Sequence, residues 1–414
     1  MSGNRDIGTE GGNYNENIRG NYFNANSVNI YEGSKDGVSK NNAEPDRETS
    51  HIILVVARLG KADYRSISKA IQNAEEGTRI LIRRGTYNEG IVIDKPLEII
   101  GDGAREEIII QSGDSDCILM QTDYAVVKNL TLRVRAGRKG KEFYGVDIPQ
   151  GNLTLENCDI TSDSLSCIAI HGSSANPTIK NCQIHDGKES GVFVWENGEG
   201  TIENCEIFAN GLSGVTIREG GNPLVKNCQI HDGKDIGVSV YENGEGTIED
   251  CDIFANEVGV TIREGGNPLV KNCQIHDGKI CGIFVYGNGE GTIENCNIFA
   301  NNVSGLAIIQ GRNLVAKNCQ IYDGKQSGIV IYKNGEGTIE NCSIFSNAYS
   351  GIEIMQGGNP LVKNCKINRN KGSAIYAYDN GKGTVENCDL TKNKRGAWNI
   401  DKTSQVQRSN NITD

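Results

Sequence analysis

Val225-Lys226-Asn227-Cys228-Gln229-Ile230-His231-Asp232-Gly233-Lys234 sets a thiol, an imidazole, a carboxylate and an amine side by side. Taken alone, the stretch looks like a site. It does not stand alone: IKNCQIHDGK occupies 179–188, VKNCQIHDGK returns at 270–279 and AKNCQIYDGK at 316–325. Catalysis needs one asymmetric constellation, so near-copies point to a structural unit repeated along the chain.

The cysteines measure that unit. Eleven of them fall at 158, 182, 205, 228, 251, 273, 296, 319, 342, 365 and 388, in steps of 23 with one step of 24 and one of 22. Asn precedes each, except that Asp250 precedes Cys251, and Ile (Leu390 in the last case) stands two residues after each. A Gly-apolar-x-apolar segment follows, such as Gly214-Val215-Thr216-Ile217. Short apolar alternations separated by Gly, Asn and Pro are strand signals. Three strands per coil predict an all-β chain, a single-stranded right-handed parallel β-helix. A lone coil cannot bury its own apolar residues, so coils must stack, about 4.8 Å apart.

Cys and Ile share a strand face, and Ile must point inward, so the cysteines form a buried ladder of small hydrophobes. The ladder spacing permits disulfides without calling for them. The preceding Asn sits in a tight turn, where stacked amides can hydrogen-bond from coil to coil. Coils of NPLVKNCQIHDGK and GTIENCEIFAN type alternate. The residue two before the cysteine therefore alternates as Lys180, Glu203, Lys226, Glu249, Lys271, Glu294, Lys317, Glu340, Lys363 and Glu386. Stacked, this is a ladder of opposite charges that fixes register. His185, His231 and His276 share a column with Phe208, Phe254 and Phe299, and Tyr322 then takes the histidine place. Histidines two coils apart cannot share a metal, so HDGK reads as a turn and a stack, with no metal and no cofactor implied.

The chain has 414 residues, a net charge of −11 and fourteen cysteines. The acidic balance speaks against nucleic acid and against an anionic membrane surface. No apolar run approaches a membrane span, and the first residues carry no apolar secretory core. Cysteines spaced as a ladder fit a reducing, cytoplasmic setting. Residues 1–50, rich in Asn, Gly and Tyr, read as a disordered tail. The β-helix then spans 51–395, with an N-terminal cap over 51–103 and regular coils over 151–395. Residues 396–414 read as a polar C-terminal tail. Ile67, Ala70, Ile71 and Ala74 have helical spacing, so a short capping helix is expected near 66–76, covering the open edge of the first coil.

From Ala62 to Gly103, including Gly85-Thr86-Tyr87-Asn88-Glu89, the chain resembles the first coils of the pectin lyase-like superfamily. Its coils resemble the carbohydrate-binding and sugar-hydrolase repeats of that group, which includes the copper-loading accessory protein of nitrous oxide reductase and the β-helix region of an F-box adaptor. The resemblance implies the fold and leaves function open, because the superfamily holds lyases, hydrolases, epimerases and binding modules. The polygalacturonase Gly-His-Gly and the later pectin esterase motifs are absent, as is any F-box region. Tyr144-Gly145-Val146-Asp147 is similar to the start of the alginate epimerase motif Tyr-Gly-Phe-Asp-Pro-His-Asp. It continues Ile148-Pro149-Gln150, so the histidine of that motif is missing.

Two places can carry function. One is the outward column of the Gly-apolar strand, with Trp195, Tyr241, Tyr286, Tyr332 and Tyr378 in one coil type and Arg218 and Arg263 among the coils between. Beside it runs a column containing Phe193, Phe284, Val330 and Tyr376. Rows of aromatics with Arg between them can hold an extended partner, or form cation–π stacks along the sheet. The other place is the irregular first coils, where Asp147, His171, Arg133, Arg135 and Asp163 have no repeat partners and could supply a base and a charge neutraliser. The expectation is a non-enzymatic scaffold binding an extended partner, protein in preference to polysaccharide, along the aromatic column. The alternative is a polysaccharide lyase, hydrolase or epimerase centred on Asp147, His171 and Arg133.

Overall fold

The computed structural model describes residues 52–136 and 141–414; the tail read over 1–50 lies outside them. The described chain winds into a right-handed parallel β-helix whose coils feed three parallel sheets of 16, 13 and 14 strands. One coil shows the plan: Thr178–Lys180 lies in the first sheet, Gln183–His185 in the second and Val192–Trp195 in the third. Thr201–Glu203 then pairs in parallel with Thr178–Lys180, setting Lys180 beside Glu203.

In this coil each corner is made by residues in the left-handed region. Asn181 (φ 56°) turns the chain from the first sheet to the second, Asp186 (φ 51°) leads out of the second, and Glu196 and Asn197 (φ 49° and 59°) close the third. Asn and Asp tolerate this conformation because their short polar side chains bond locally. Ala209, Ala255 and Ala300 adopt it too, at φ 54–56°, at a cost of about 1–2 kcal/mol each. Stacking holds them there: Ala209 N–H bonds His231 O, Ala255 N–H bonds His276 O and Ala300 N–H bonds Tyr322 O in the next coil.

Inside the tube, Ile and Val from all three sheets are wholly buried, and so is the cysteine ladder. All fourteen cysteines are free thiols. Each ladder thiol from Cys182 to Cys388 donates to the carbonyl two residues before it, as Cys228 does to Lys226 O at 3.2 Å. A small apolar side chain with a weak donor suits a corner where a carbonyl turns inward.

The expected amide ladder beside the cysteines contributes the bond Asn157 Nδ2–Asn129 Oδ1, 2.8 Å. A stronger amide column, which the sequence reading missed, lies after the second sheet. Asn210, Asn256, Asn301 and Asn347 are buried, and each grips the preceding coil. Asn256 Oδ1 accepts from Gly233 N–H at 2.9 Å, and its Nδ2 donates to Ile230 O and Phe254 O, both at 3.0 Å. This answers the repeated HDGK. Its glycine presents an N–H to the buried Asn of the next coil, and a Cβ on Gly233 would stand 2.8 Å from that Asn oxygen. In the last coils Asn sits on Asn: Asn347 Nδ2 donates to Asn370 Oδ1 and Asn370 Nδ2 to Asn393 Oδ1, each at 3.0 Å.

The capping helix spans Ile67–Asn73, with Ser66 as its N-cap and Ile67, Ala70 and Ile71 buried. The Gly-Thr-Tyr-Asn-Glu pattern turns out to serve this cap. Tyr87 is wholly buried and donates to Arg83 O at 2.8 Å. Glu89 accepts from Ile67 N–H, Ser68 N–H and the Ser66 and Ser68 hydroxyls. Burial alone would raise the Glu89 carboxyl; these bonds hold it below its ordinary range.

The other end differs from expectation. Residues 396–414 are not a free tail: Trp398–Ile400 joins the third sheet and Gln405–Ser409 the first. Gln405, Gln407 and Arg408 are polar because this strand is the outer edge of its sheet, exposed to solvent.

The amide clamp makes a prediction. Asn256→Ala strands the Gly233 N–H and two carbonyls, so the urea midpoint should fall by the equivalent of about 2 kcal/mol or more. Asn256→Asp, which keeps the acceptor, should recover part of that loss. An unchanged midpoint for Asn256→Ala would show that the clamp does not tie neighbouring coils.

Candidate functional site

The first two sheets carry structural columns on their outer faces. On the first, each Glu pairs with the Lys that follows it: Glu203–Lys226 and Glu249–Lys271 at 2.9 Å, Glu294–Lys317 and Glu340–Lys363 at 3.2 Å. On the second, the rings of His185, Phe208, His231, Phe254, His276, Phe299, Tyr322 and Phe345 form one unbroken stack, with centroids 4.5–5.5 Å apart and planes within 13°. Each histidine Nδ1 is tied to the Asp beside it, at 2.7–2.8 Å. Among the described residues no group of His, Cys, Asp or Glu is placed to hold a metal ion.

The third sheet is different. Asp147 lies on Val146–Ile148, His171 ends Ile168–His171, and Trp195 ends Val192–Trp195. His171 is in register with Trp195, while Asp147 is in register with Ala169. The imidazole reaches diagonally back to the preceding coil: its Nε2 stands 3.0 Å from Asp147 Oδ1, as His276 Nε2 does from Asp252 Oδ1 on the second sheet. The ring also stacks on the Trp195 indole, centroids 4.4 Å apart and planes at 12°. Phe193 lies 4.3 Å from the indole on the other side, and Tyr144 lies 6.0 Å from it.

Carboxylates dominate the electrostatics. Asp147 is the chief cause of a raised His171 pKa, acting against burial and helped by Glu196, whose carboxylate is 3.7 Å from Nδ1. Asp116, in the turn leading to the same sheet, accepts the Tyr144 N–H at 2.6 Å. Burial first, and then the Asp147 charge, push its carboxyl up to about 6. Burial, together with Asp147, Glu189 and Asp116, pushes the Tyr144 hydroxyl up to about 12.

The predicted site residues divide between faces. Asp147, His171, Trp195 and Arg218 come together. Arg133 does not join them: it lies on Thr131–Val134 in the second sheet. Arg135 and Asp163 pair with each other at 4.0 Å, apart from the cluster. Arg218 sits over Phe193 at 5.2 Å and is held between Glu219 and Glu242 at 3.4 and 3.5 Å. Further along the column, Arg263 caps the Tyr241 ring at 3.8 Å, as a cation–π stack, and is paired to Glu264. Tyr286 leans on Phe284, Tyr378 stacks on Tyr376, and Lys333 stands over Tyr332. All these aromatics are half-buried. Asp116 and Glu189 escaped the sequence reading because they lie in turns; only the coil period, which is irregular here, could have brought them to Asp147.

The architecture defines a right-handed β-helix protein with a polar cluster on one outer face. Residues 116–270 and 258–413 match the family model for the right handed beta helix region, and the chain belongs to that family. Among solved structures it is similar to the N-terminal fragment of bacteriophage Phi29 gene product 12, at 13% identity over 82% of this chain and 67% of that one, TM-score 0.50. It is similar to the catalytic domain of a GH87 alpha-1,3-glucanase solved with nigerose, at 15% identity over 90% of this chain and 70% of that one, TM-score 0.50. A mannuronan C-5 epimerase A-module from Azotobacter vinelandii gives 13% identity over 83% and 92%, TM-score 0.46. Likeness at this identity shows the fold alone.

The two shifted groups give two tests on one site, and both contributions are lost as pH rises. Folded His171 holds its proton more tightly than an unfolded histidine, near 6.5, so its pair with Asp147 stabilises the fold at acid pH and fades as pH rises through the raised value. NMR titration should place His171 above about 6.5, and Asp147→Asn should lower it. Folded Asp116 also binds its proton more tightly than its unfolded form, near 3.9, so the stability this proton supplies is lost as pH rises towards about 6. Asp116→Asn should therefore raise the melting temperature at about pH 7.5 and change it little at about pH 4. A destabilised Asp116→Asn at the higher pH would contradict the placement of that carboxyl.

Proposed function

We propose that the outer face of the third sheet binds an extended, uncharged polysaccharide, with its centre at Asp116, Tyr144, Asp147, His171 and Trp195. The observation that carries this is one juxtaposition. Carboxylates and an imidazole border an aromatic floor on the open side of a regular sheet. Sugar hydroxyls can bond to such a border, and sugar C–H groups can lie against the exposed edges of these stacked rings. The rungs repeat about every 4.8 Å along the axis, so a chain molecule can follow the face.

Charge selects the ligand. Asp116, Asp147, Glu189, Glu196, Glu219 and Glu242 ring this part of the face, and Arg218 and Arg263 are already engaged by glutamates. This negative field would repel a polyuronate but not a neutral glycan. The cytoplasmic expectation favours a protein partner on the strength of the thiols. All fourteen are buried side chains. A buried free thiol is a small hydrophobe in either redox setting, so the thiols give no reason to prefer protein over glycan.

A second reading is cleavage of that glycan at the same cluster. Asp116 favours it, as a carboxyl whose pKa of about 6 suits a general acid near neutral pH.

Affinity electrophoresis against neutral glucans, alginate and pectate tests both readings. The expected outcome is retardation by a neutral glucan, reduced at least about tenfold in affinity by Trp195→Ala, with no retardation by the uronates. Under the second reading, new reducing ends appear and are lost in Asp116→Asn. Failure of every neutral glycan to retard the chain would overturn the proposal, and capture of an extended peptide by the same face would replace it.

A further inference from the structure

The third sheet carries a second feature that the polar cluster does not use. Three outward columns each turn apolar over a few coils, in runs that partly overlap. The residue before the strand glycine is Ser190 and Ser213 in earlier coils and Ser304, Ser327 and Ser350 in later ones. Between them it is Ile236, Val258 and Cys281, which are in register with one another. The next column reads Thr216, Ser239 and Thr261, then changes to Phe284, Ala307 and Val330. The third changes from Arg218 and Arg263 to Ile309 and Met355. Even the preceding turn follows: Asp235 and Glu257 give way to Ile280 and Val303, bonded coil to coil through their backbones.

The coils are near-copies, so each column is its own control. Nothing in the stacking demands apolar residues on the outside here, since neighbouring coils fold with Ser, Thr, Arg, Asp and Glu at the same places. The change also leaves a physical trace. Val258, Cys281 and Ala307 form a hydrophobic cluster separate from the core of the tube, with Phe284 packed on it. Ile280 stays 42% exposed beside it.

The space between these side chains is a cavity of about 380 Å³, lined chiefly by Ile280, Phe284, Ala307, Val330, Tyr332 and Met355. That is within the range of small-molecule sites. Ala307 makes the hollow, because it lies in register between the larger Phe284 and Val330. The lining contains no cation. Its carboxylate, Glu353, accepts from the Ser327 hydroxyl at 2.7 Å and from the Tyr378 hydroxyl at 2.9 Å. A ligand here meets two aromatic rings, a thioether and aliphatic carbon, which favour a flat, polarisable, uncharged group.

We infer that this pocket is a binding site for an uncharged aromatic group of a small molecule, distinct from the polar cluster at Asp147 and independent of what that cluster binds.

N-phenyl-1-naphthylamine, a neutral probe that brightens in apolar surroundings, tests the inference on the full chain. The expected result is a saturable rise at one probe per chain, with a matching upward shift in melting temperature. Ala307→Leu fills the hollow and Val330→Glu charges its wall; each should weaken binding at least about tenfold while thermal melts without probe stay close to the parent. Val330→Glu alone decides the matter should Ala307→Leu fail to fold, since its side chain points outward. No rise, a rise that does not saturate, or equal affinity in the substituted chains would overturn the inference.

Discussion

Within the stacked coils, each strand side chain lives with its counterparts about 4.8 Å away in the coils above and below. That single constraint sorts the residues. Isoleucine on isoleucine is favourable, so the core is nearly monotonous. Cysteine on cysteine works because each thiol is turned to a carbonyl. Like charges would repel, so Lys and Glu alternate, and each Glu from Glu203 to Glu340 is matched by the Lys of the next coil. Rings stack on rings, and histidine can take part because the Asp beside it holds its other edge. The strained Ala corners persist for the same reason, since each is held by backbone bonds to the coil that follows.

Function then has to come from departures. A strictly repeated column offers no unique point, whereas Asp147, His171 and Asp116 sit where the coils are irregular and the columns do not propagate. His171 crosses to the preceding coil and meets Asp147 while stacked on the Trp195 indole. The apolar pocket opens around Ala307. Both lie on the third sheet, which carries neither the charge ladder nor the long ring stack that occupy the other two outer faces.

The fold was legible from one period. Cys and Ile two apart on a strand, repeated every 23 residues, place themselves inside and bring the other columns into line. The helix near 66–76 was legible from its apolar spacing. What the pattern hid were residues whose partners depend on turn geometry. Asn210 and Asn256 look like loop asparagines, yet they are buried clamps, because the turn folds their amides beneath the strand of the coil before. Arg133 shares a region of sequence with Asp147 but not a sheet, and irregular coil lengths there blur which face a residue takes. The final coil was hidden by its polarity, since an edge strand has no neighbour to demand apolar side chains.

The alternation of Lys and Glu gives the solenoid a parity. Buried amides are indifferent to it, as the run Asn347, Asn370, Asn393 shows by stacking like on like. The charge column is not, because removing one coil would set Lys on Lys or Glu on Glu at the junction. Gain or loss of a pair of coils leaves every junction unchanged. The quantum of length for this protein is therefore two turns, and a lineage that lengthens or shortens it should do so in even steps.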